Sequence, residues 1–392
     1  MLLTQNKSIF LPIKNGKFAD NKFEITFPFI LAPMAGITNL SFRTLCREAG
    51  AQVTISEMVT ARALIEKHPE TLRLIKPAAG ETPRSIQLYG VDPKVMALAV
   101  RYLGDNDLAD HIDLNFGCPV PKVTRKGGGA ALPFKRKLFS QIVESTVNAG
   151  EEYGIPVTVK MRMGIDENYV TYKEAALSAA DAGVAWVGLH ARYASEMYDQ
   201  EVHWDAISEL VSLLANHEIP VLGNGNVWTG ADGISMMQQT GCHGVVVGRG
   251  CLGRPWLFSD LNQSFQNISS ANNYFQPSFS YVSKTMMRHA QLLIEFFENE
   301  GRALRDLRKH MAWYLKGFQV SREVRGKLGM VSSLGELEYL ISQIPDQPYP
   351  IEIAQNPRGR SSHSRPTTLP ENWLKDPDEI PLITIDDSVS GG

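Results

Sequence analysis

Cysteine is scarce in this sequence. Cys46, Cys118, Cys242 and Cys251 are the only four in 392 residues, and none stands in CxxC spacing. That is too few for a disulfide scaffold, and it fits a reducing compartment in which a special cysteine is catalytic rather than structural. No metal site is expected. Long apolar runs are also missing: no stretch approaches the roughly 18 residues that a membrane span needs. The first residues are broken by Lys7, Lys14, Lys17 and Asp20 and lack the apolar core of a secretory signal. A cytoplasmic protein without membrane contact is therefore expected. Net charge is close to balance, at −3, so there is no global pull toward nucleic acid. Finally, no Gly-rich dinucleotide fingerprint follows the first apolar run, which weakens an open doubly wound sheet as the architecture.

What is present is a rhythm. Short β-branched runs recur at FILAP (29–33), VTIS (53–56), SIQLY (85–89), HIDLN (111–115), PVTVK (156–160), AWVGLH (185–190), IPVLGN (219–224) and GVVVG (244–248). They read as nearly unbroken buried strands. Helix-like stretches lie between them at 41–49, 92–103, 137–150, 172–182, 205–216 and 231–239. The size and alternation predict an α/β fold, a (β/α)8 TIM barrel, with an appended C-terminal all-helical domain. The expected divisions are an entry segment at 1–28, a barrel at 29–258, a helical domain at 259–349 and a loosely tethered tail at 350–392. The tail is rich in Pro, Ser and charge.

Charge is unevenly placed. Residues 122–137 carry six Lys/Arg and no acid, and residues 302–327 carry eight against Asp306 and Glu323. On a helical wheel, 302–318 puts Leu304, Leu307, Met311, Tyr314, Leu315 and Phe318 on one side. Arg302, Arg305, Lys309 and Lys316 fall on the other. One face should be buried and the opposite one cationic, suited to a polyanion.

In such a barrel, chemistry collects at the C-terminal strand ends. Those ends are rich in polar and Gly residues: Pro33-Met34-Ala35, Ser56-Glu57, Gln87, Asn115, Lys160, His190 with Arg192, Asn224-Gly225-Asn226, and Gly248-Arg249. Singly, each reads as a turn or a solvated loop residue. Backbone N–H groups in the Gly-rich ends of the last two runs suit an anion, and Arg249 can add a charged fork, although tight turns explain the glycines equally well. Lys160 ends an apolar strand, where an ammonium is costly without a partner or open water. It is a cation under an electron-rich cofactor ring, or a Schiff-base lysine. His190 can donate to the same ring. Cys118 lies in NFGCPVPKVTRKGGGAAL, a long loop punctuated by Pro and Gly. With an ordinary thiol pKa of roughly 8.5 it is protonated at neutral pH and can act as a general acid; the plain alternative is an inert buried thiol.

Taken together, APMAGITNLSFR (32–43), NFGCPVPKVTRKGGGAAL (115–132), VTVKMRMG (157–164), LHAR (189–192), GNGNV (223–227) and GVVVGRGCLGRPWLF (244–258) resemble the tRNA-dihydrouridine synthase family from about residue 29 to 340. The resemblance implies an FMN-dependent barrel enzyme that reduces tRNA uridines to 5,6-dihydrouridine, with NADPH or NADH as reductant. It implies that Pro33, Met34 and Ala35 line the flavin and that Gln87 contacts its ring. Lys160 and His190 would hold the isoalloxazine; Asn224, Gly225, Asn226, Gly248 and Arg249 would take the phosphate end. Cys118 would be the proton donor, with Asn115 between flavin and substrate and Arg192 assisting. Arg302, Arg305 and Lys309 would grip the tRNA substrate, and the chain is expected to act as a monomer. Two positions depart from the common pattern. His190 is followed by Ala-Arg-Tyr rather than Gly-Arg-Thr, and Asn226 stands where Asp is usual.

Overall fold

The computed structural model describes residues 9–14, 19–196, 198, 201–267, 275–359 and 364–381. Residues 1–8 of the expected entry segment and 382–392 of the expected tail lie outside the described residues. The strands are β1 (Ile9–Leu11), β2 (Phe23–Ile25), β3 (Phe29–Leu31), β4 (Val53–Thr54), β5 (Val59–Thr60), β6 (Ser85–Tyr89), β7 (His111–Phe116), β8 (Val157–Arg162), β9 (Val187–His190), β10 (Val221–Asn224) and β11 (Gly244–Val247). Strands β3 to β11 form one parallel sheet in the order β4-β3-β11-β10-β9-β8-β7-β6-β5. Ile55, directly after β4, bridges Ser85 of β6 in parallel, and Ser56 N donates to Ser85 O at 3.0 Å. That seam closes the sheet. β4 and β5 are two halves of one stave, so the barrel has the eight staves that the rhythm predicts.

The strands alternate rather than run unbroken. Outward residues such as Leu31, Leu88, Leu114, Val159, Leu189 and Val247 join the large core beneath the helices. Inward residues of one half of the barrel, Ile30, Val53, Ile55, Leu222 and Val246, form a second apolar core with Trp186. The β1–β2 hairpin feeds Ile9, Leu11 and Ile25 into this core and plugs the N-terminal end of the barrel. Inward residues of the other half are polar: Gln87, Asp113, Asn115, Thr158, Lys160 and Arg162. Hydrophobic burial on three fronts fixes the register, because a one-residue slip would exchange the inner and outer sets.

Helices fill the expected intervals with ends shifted by no more than three residues. A further helix, Leu257–Gln266, was not foreseen. Its Leu257, Phe258 and Leu261 sit in the barrel core, so the barrel runs to Gln266 rather than 258. Pro255 marks a turn, not a domain edge. Helices Phe279–Phe297, Glu300–Tyr314, Arg322–Leu328 and Leu334–Ser342 make the second unit. Its core holds the entire predicted apolar face, Leu304, Leu307, Met311, Tyr314, Leu315 and Phe318. The tail differs most from expectation. Described residues from 364 to 381 pack on the barrel: Arg365 N donates to Ser195 O at 3.0 Å, and Trp373 is buried against Ala131 and Ile165. A single tryptophan with Leu369 and Leu374 beside it supplies the apolar area that the tail's composition conceals.

One buried ion pair ties the first two βα units together. Arg43 Nε and Nη2 donate to Glu81 Oε1 and Oε2 at 2.8 and 3.0 Å, and both side chains are almost fully buried. Arg43 also donates to the carbonyls of Thr38 and Lys76, while Glu81 accepts from Thr54 Oγ1 and Ala78 N. Burial pushes the Glu81 carboxyl up, but the Arg43 charge and these bonds outweigh it and leave its pKa below the ordinary value. Glu81→Gln leaves a buried guanidinium without its counter-charge and should cost about 3–5 kcal/mol in urea denaturation at neutral pH. Because the folded pKa is depressed, the wild-type advantage should vanish as pH falls below the ordinary Glu range of about 4.3. An undiminished gap at low pH would contradict this account.

Candidate active site

The interior-facing residues nearest the barrel mouth share one property. Asn115, Lys160, His190 and Asn224 are half-buried at the ends of β7, β8, β9 and β10, while the strand residues before them are buried. Strand pairing brings them side by side: Asn115 is in register with Lys160, and His190 with both Arg162 and Asn224. The barrel therefore ends in a concave polar floor, not a closed core.

Below that floor runs a column of hydrogen bonds. His111 Nε2 meets Thr158 Oγ1 at 2.8 Å, Thr158 Oγ1 donates to Asp113 Oδ1 at 2.7 Å, and Gln87 Nε2 donates to Asp113 Oδ2 at 2.7 Å. Gln87 Oε1 then accepts from Asn115 Nδ2 at 2.9 Å. At the top, Asn115 Oδ1 accepts from the N–H groups of Gly117 and Cys118 at 3.1 and 2.9 Å. Asn115 thus spends both ends of its amide on the scaffold and aims the Cys118 loop. Gln87 is likewise committed inside the column.

Burial raises the Asp113 carboxyl to about 6, against bonds from Thr158 and Gln87 and the nearby Lys160 charge. Burial lowers the Lys160 ammonium to about 8, against the attraction of Asp113. No hydrogen bond joins Lys160 Nζ to any described residue. Cys118 is half-buried, whereas the other three cysteines are buried. Burial pushes its thiol above the ordinary value, against the lowering pull of the Val120 N–H and the Arg162 and Lys160 charges. The thiol is protonated at neutral pH. Burial also holds His190 well below its ordinary pKa, helped by Arg162, Lys160, Arg192 and Arg249. Its imidazole is neutral. Arg192 Nη1 approaches His190 Nε2 at 3.4 Å, which puts the ring hydrogen on Nδ1.

The loops follow the same plan. Arg192 Nη2 donates to Asn226 Oδ1 at 3.2 Å, and Asn224 Nδ2 ties β10 to the Val246 carbonyl at 2.7 Å. The Arg249 guanidinium lies 3.8 Å over the Tyr198 ring and 5.0 Å from that of Trp228. Gly225 and Gly248 follow β10 and β11, and Pro33, Met34 and Ala35 follow β3, the neighbour of β11, so that a Cβ on Gly248 would come 3.7 Å from Met34 Sδ. The three helical-domain cations are differently engaged. Arg302 pairs with Glu70 at 2.9 Å, Lys309 pairs with Asp306 at 2.7 Å, and Arg305 is exposed.

Two residues, Asp113 and Tyr198, escaped the sequence reading, and two at strand ends, Glu57 and Arg162, were given no role there. Asp113 anchors the column. Arg162 donates to the carbonyls of Gly117, Tyr193 and Glu196, bracing two mouth loops. Tyr198 covers Arg249. Glu57 is buried and accepts from Gly36 N. Asp113 and Arg162 were legible in principle: each stands two positions from a chosen residue and so shares its inward face. Tyr198 carries no such signal.

The family described as Dihydrouridine synthase (Dus) matches residues 30–346, and the match stops before the C-terminal segment. A probable tRNA-dihydrouridine synthase of Mycobacterium tuberculosis is 46% identical over 377 residues, covering 94% of this chain and 95% of the relative. The Mycobacterium leprae protein of the same description is 45% identical, covering 93% of this chain and 100% of its own length. That of Treponema pallidum is 35% identical over 73% of this chain and 84% of its own length. With barrel, mouth and sequence in agreement, the chain belongs to the dihydrouridine synthase family.

Proposed function

We propose that the protein reduces uridines of tRNA to 5,6-dihydrouridine, using FMN seated in the barrel mouth and NADPH or NADH as the ultimate reductant. The observation that carries this reading is the half-buried, protonated Cys118 held by Asn115 beside a lysine ammonium that has no hydrogen-bond partner among the described residues. The mouth fits a flavin. Lys160 offers a cation to the electron-rich edge of the ring, and neutral His190 offers an Nδ1–H. The positive charge of Arg192 and Arg249, with the backbone at Gly225, Asn226 and Gly248, suits a phosphate. Pro33, Met34 and Ala35 would supply the rim that holds the ring.

A reduced flavin held there would supply the hydride that C6 of the uracil takes. The chain does the rest. Lys160 and Arg162 keep the mouth electropositive, which favours negative charge there. The uridine must leave its stack to enter the mouth. Cys118 donates its proton to C5, and its raised pKa keeps that proton available at neutral pH. Arg162 and Asn115 fix the loop from which the thiol acts. Arg305, with Arg302 and Lys309 when their acidic partners release them, holds tRNA phosphate. A cytoplasmic monomer is the setting in which we place this reaction.

Nucleoside mapping of tRNA by mass spectrometry, with and without the protein, tests the reading directly. Dihydrouridine should form with wild type, and Cys118→Ala should retain flavin but lose at least ~10²-fold in uridine reduction. A normal rate in that variant would remove Cys118 from the chemistry.

Flavin affinity should decline as pH rises through about 8, where Lys160 loses its charge before ligand binds. Lys160→Met should bind more weakly and show no such inflection. Fluorescence-quenching titrations from neutral to alkaline pH read both.

Replacing Arg302, Arg305 and Lys309 together should weaken tRNA binding and lower the salt slope by about one for each phosphate no longer held, with flavin content intact. An unaltered slope would exclude this face.

A further inference from the structure

The described residues of the C-terminal segment, up to 359 and from 364 to 381, touch the loops around the barrel mouth at several points. Arg358 Nη1 donates to Trp313 O of the helical domain and, at 3.1 Å, to Leu252 O of the barrel, and Gly359 passes Arg249, to whose Cδ a Cβ there would come within 3.1 Å. Further along, Arg365 pairs with Ser195 in the loop after β9. Residues 373–379 reach the loop after β7, the loop that carries Cys118. There Trp373 Nε1 donates to Ala131 O at 3.0 Å. A Cβ on Gly127 would lie 2.3 Å from the Trp373 ring, so indole and loop backbone are in direct contact. Lys135, fully buried, donates to Asp376 O and Glu379 Oε2 at 2.6 and 2.9 Å, and Arg136 N donates to Pro377 O at 2.8 Å.

This contact is one step from the thiol. The loop doubles back so that Ala130 N donates to Cys118 O at 3.0 Å. Gly129, at φ +55°, lies so close that a Cβ would sit 2.5 Å from Cys118 O and 3.2 Å from Cys118 Cβ. Gly127 (φ +76°) and Gly129 leave the loop few side chains with which to brace itself. Support for its far end comes from outside it.

We infer that the C-terminal segment is a strap, and that Trp373 is a positioning residue that sets the place of Cys118 in the mouth. The inference rests on the assignment of Cys118 as proton donor only for its kinetic arm. Trp373 fills the pocket between Gly127 and Ala131, and Lys135 with Glu379 fastens the strap beyond it. The strap also engages two cations of the 122–137 run: Lys135 pairs with Glu379, and Arg136 Nε lies 3.7 Å from Asp378 Oδ1.

The test uses the full-length flavoprotein. Native protein is treated with iodoacetamide, and Cys118 modification is followed by peptide mass spectrometry; the other three cysteines are buried and serve as internal controls for folding. Trp373→Ala should speed Cys118 alkylation about tenfold and lower kcat for uridine reduction by a similar factor, the scale of one missing anchor. KM for tRNA and flavin content should stay within about twofold of wild type. Trp373→Phe, which refills the pocket without the N–H, should recover most of both effects. Glu379→Ala, at a half-exposed site, loosens the strap without opening a core and should move alkylation in the same direction. Unchanged alkylation in Trp373→Ala and Glu379→Ala would overturn the inference, as would equal alkylation of all four cysteines. Absence of dihydrouridine with wild type would instead sink the proposed function, and the alkylation arm would still read the strap.

Discussion

A lysine ammonium inside a barrel is the constraint around which this mouth is built. Lys160 has Asp113 as its nearest opposite charge in the interior, and each is held away from its ordinary pKa by burial. A carboxylate there is tolerable only if its oxygens are hydrogen-bonded, and Thr158 and Gln87 meet that need. Gln87 is then turned so that its carbonyl receives Asn115, and Asn115 is turned so that its own carbonyl receives the Cys118 N–H. The position of the thiol follows from the need to solvate one carboxylate. Changes at Asp113 should therefore be felt at the loop, although Asp113 touches no part of it.

The architecture was legible because every stave carries a short apolar run and every gap between runs carries helical periodicity. The mouth residues were legible because polar types stand in phase at strand ends. What the sequence hid falls into two kinds. Asp113 and the role of Arg162 were concealed by treating each strand as uniformly apolar; period-two alternation puts both residues beside Asn115 and Lys160. The strap was concealed by composition. Residues 350–392 hold four basic and seven acidic side chains amid Pro and Ser, and nothing local distinguishes a loose tail from one anchored by a lone Trp373. Its partner surface, Gly127 and Ala131, lies more than two hundred residues away. Long-range complementarity of that sort leaves no periodic trace.

The cationic helix shows how a correct pattern can carry more than one meaning. All six predicted apolar residues of 302–318 are buried, but the helix ends at Tyr314, so the wheel placed the faces up to that residue and Leu315, Lys316 and Phe318 lie in the turn beyond it. Yet the charged face is not simply a surface waiting for phosphate. Arg302 reaches Glu70 on the barrel, and Lys316 donates to the Asn356 and Pro357 carbonyls that lead into the strap. Exposed ion pairs of this kind hold by about 1 kcal/mol or less, so a polyanion can compete for Arg302. The carbonyl bonds of Lys316 are structural and leave Arg305 as the most available cation of the face.

Under the proposed function, a loop that is to deliver a proton to a bulky, flipped-out base faces opposing demands. It must be open enough to admit the base and fixed enough to hold a thiol within bonding distance of one carbon. Barrel strands can brace only the loop's root, where Asn115 and Arg162 act, because past Gly117 the chain leaves the sheet. The stretch after Cys118 is short of side chains at Gly127, Gly128 and Gly129, so it cannot build a core of its own. An external anchor that touches backbone rather than side chain resolves this: Trp373 presses on Gly127 and bonds the Ala131 carbonyl, leaving the inner side of the loop free for substrate. Rigidity at both ends with an unencumbered middle is the arrangement such a reaction requires, and it explains why a large, rigid indole serves better here than a flexible aliphatic chain.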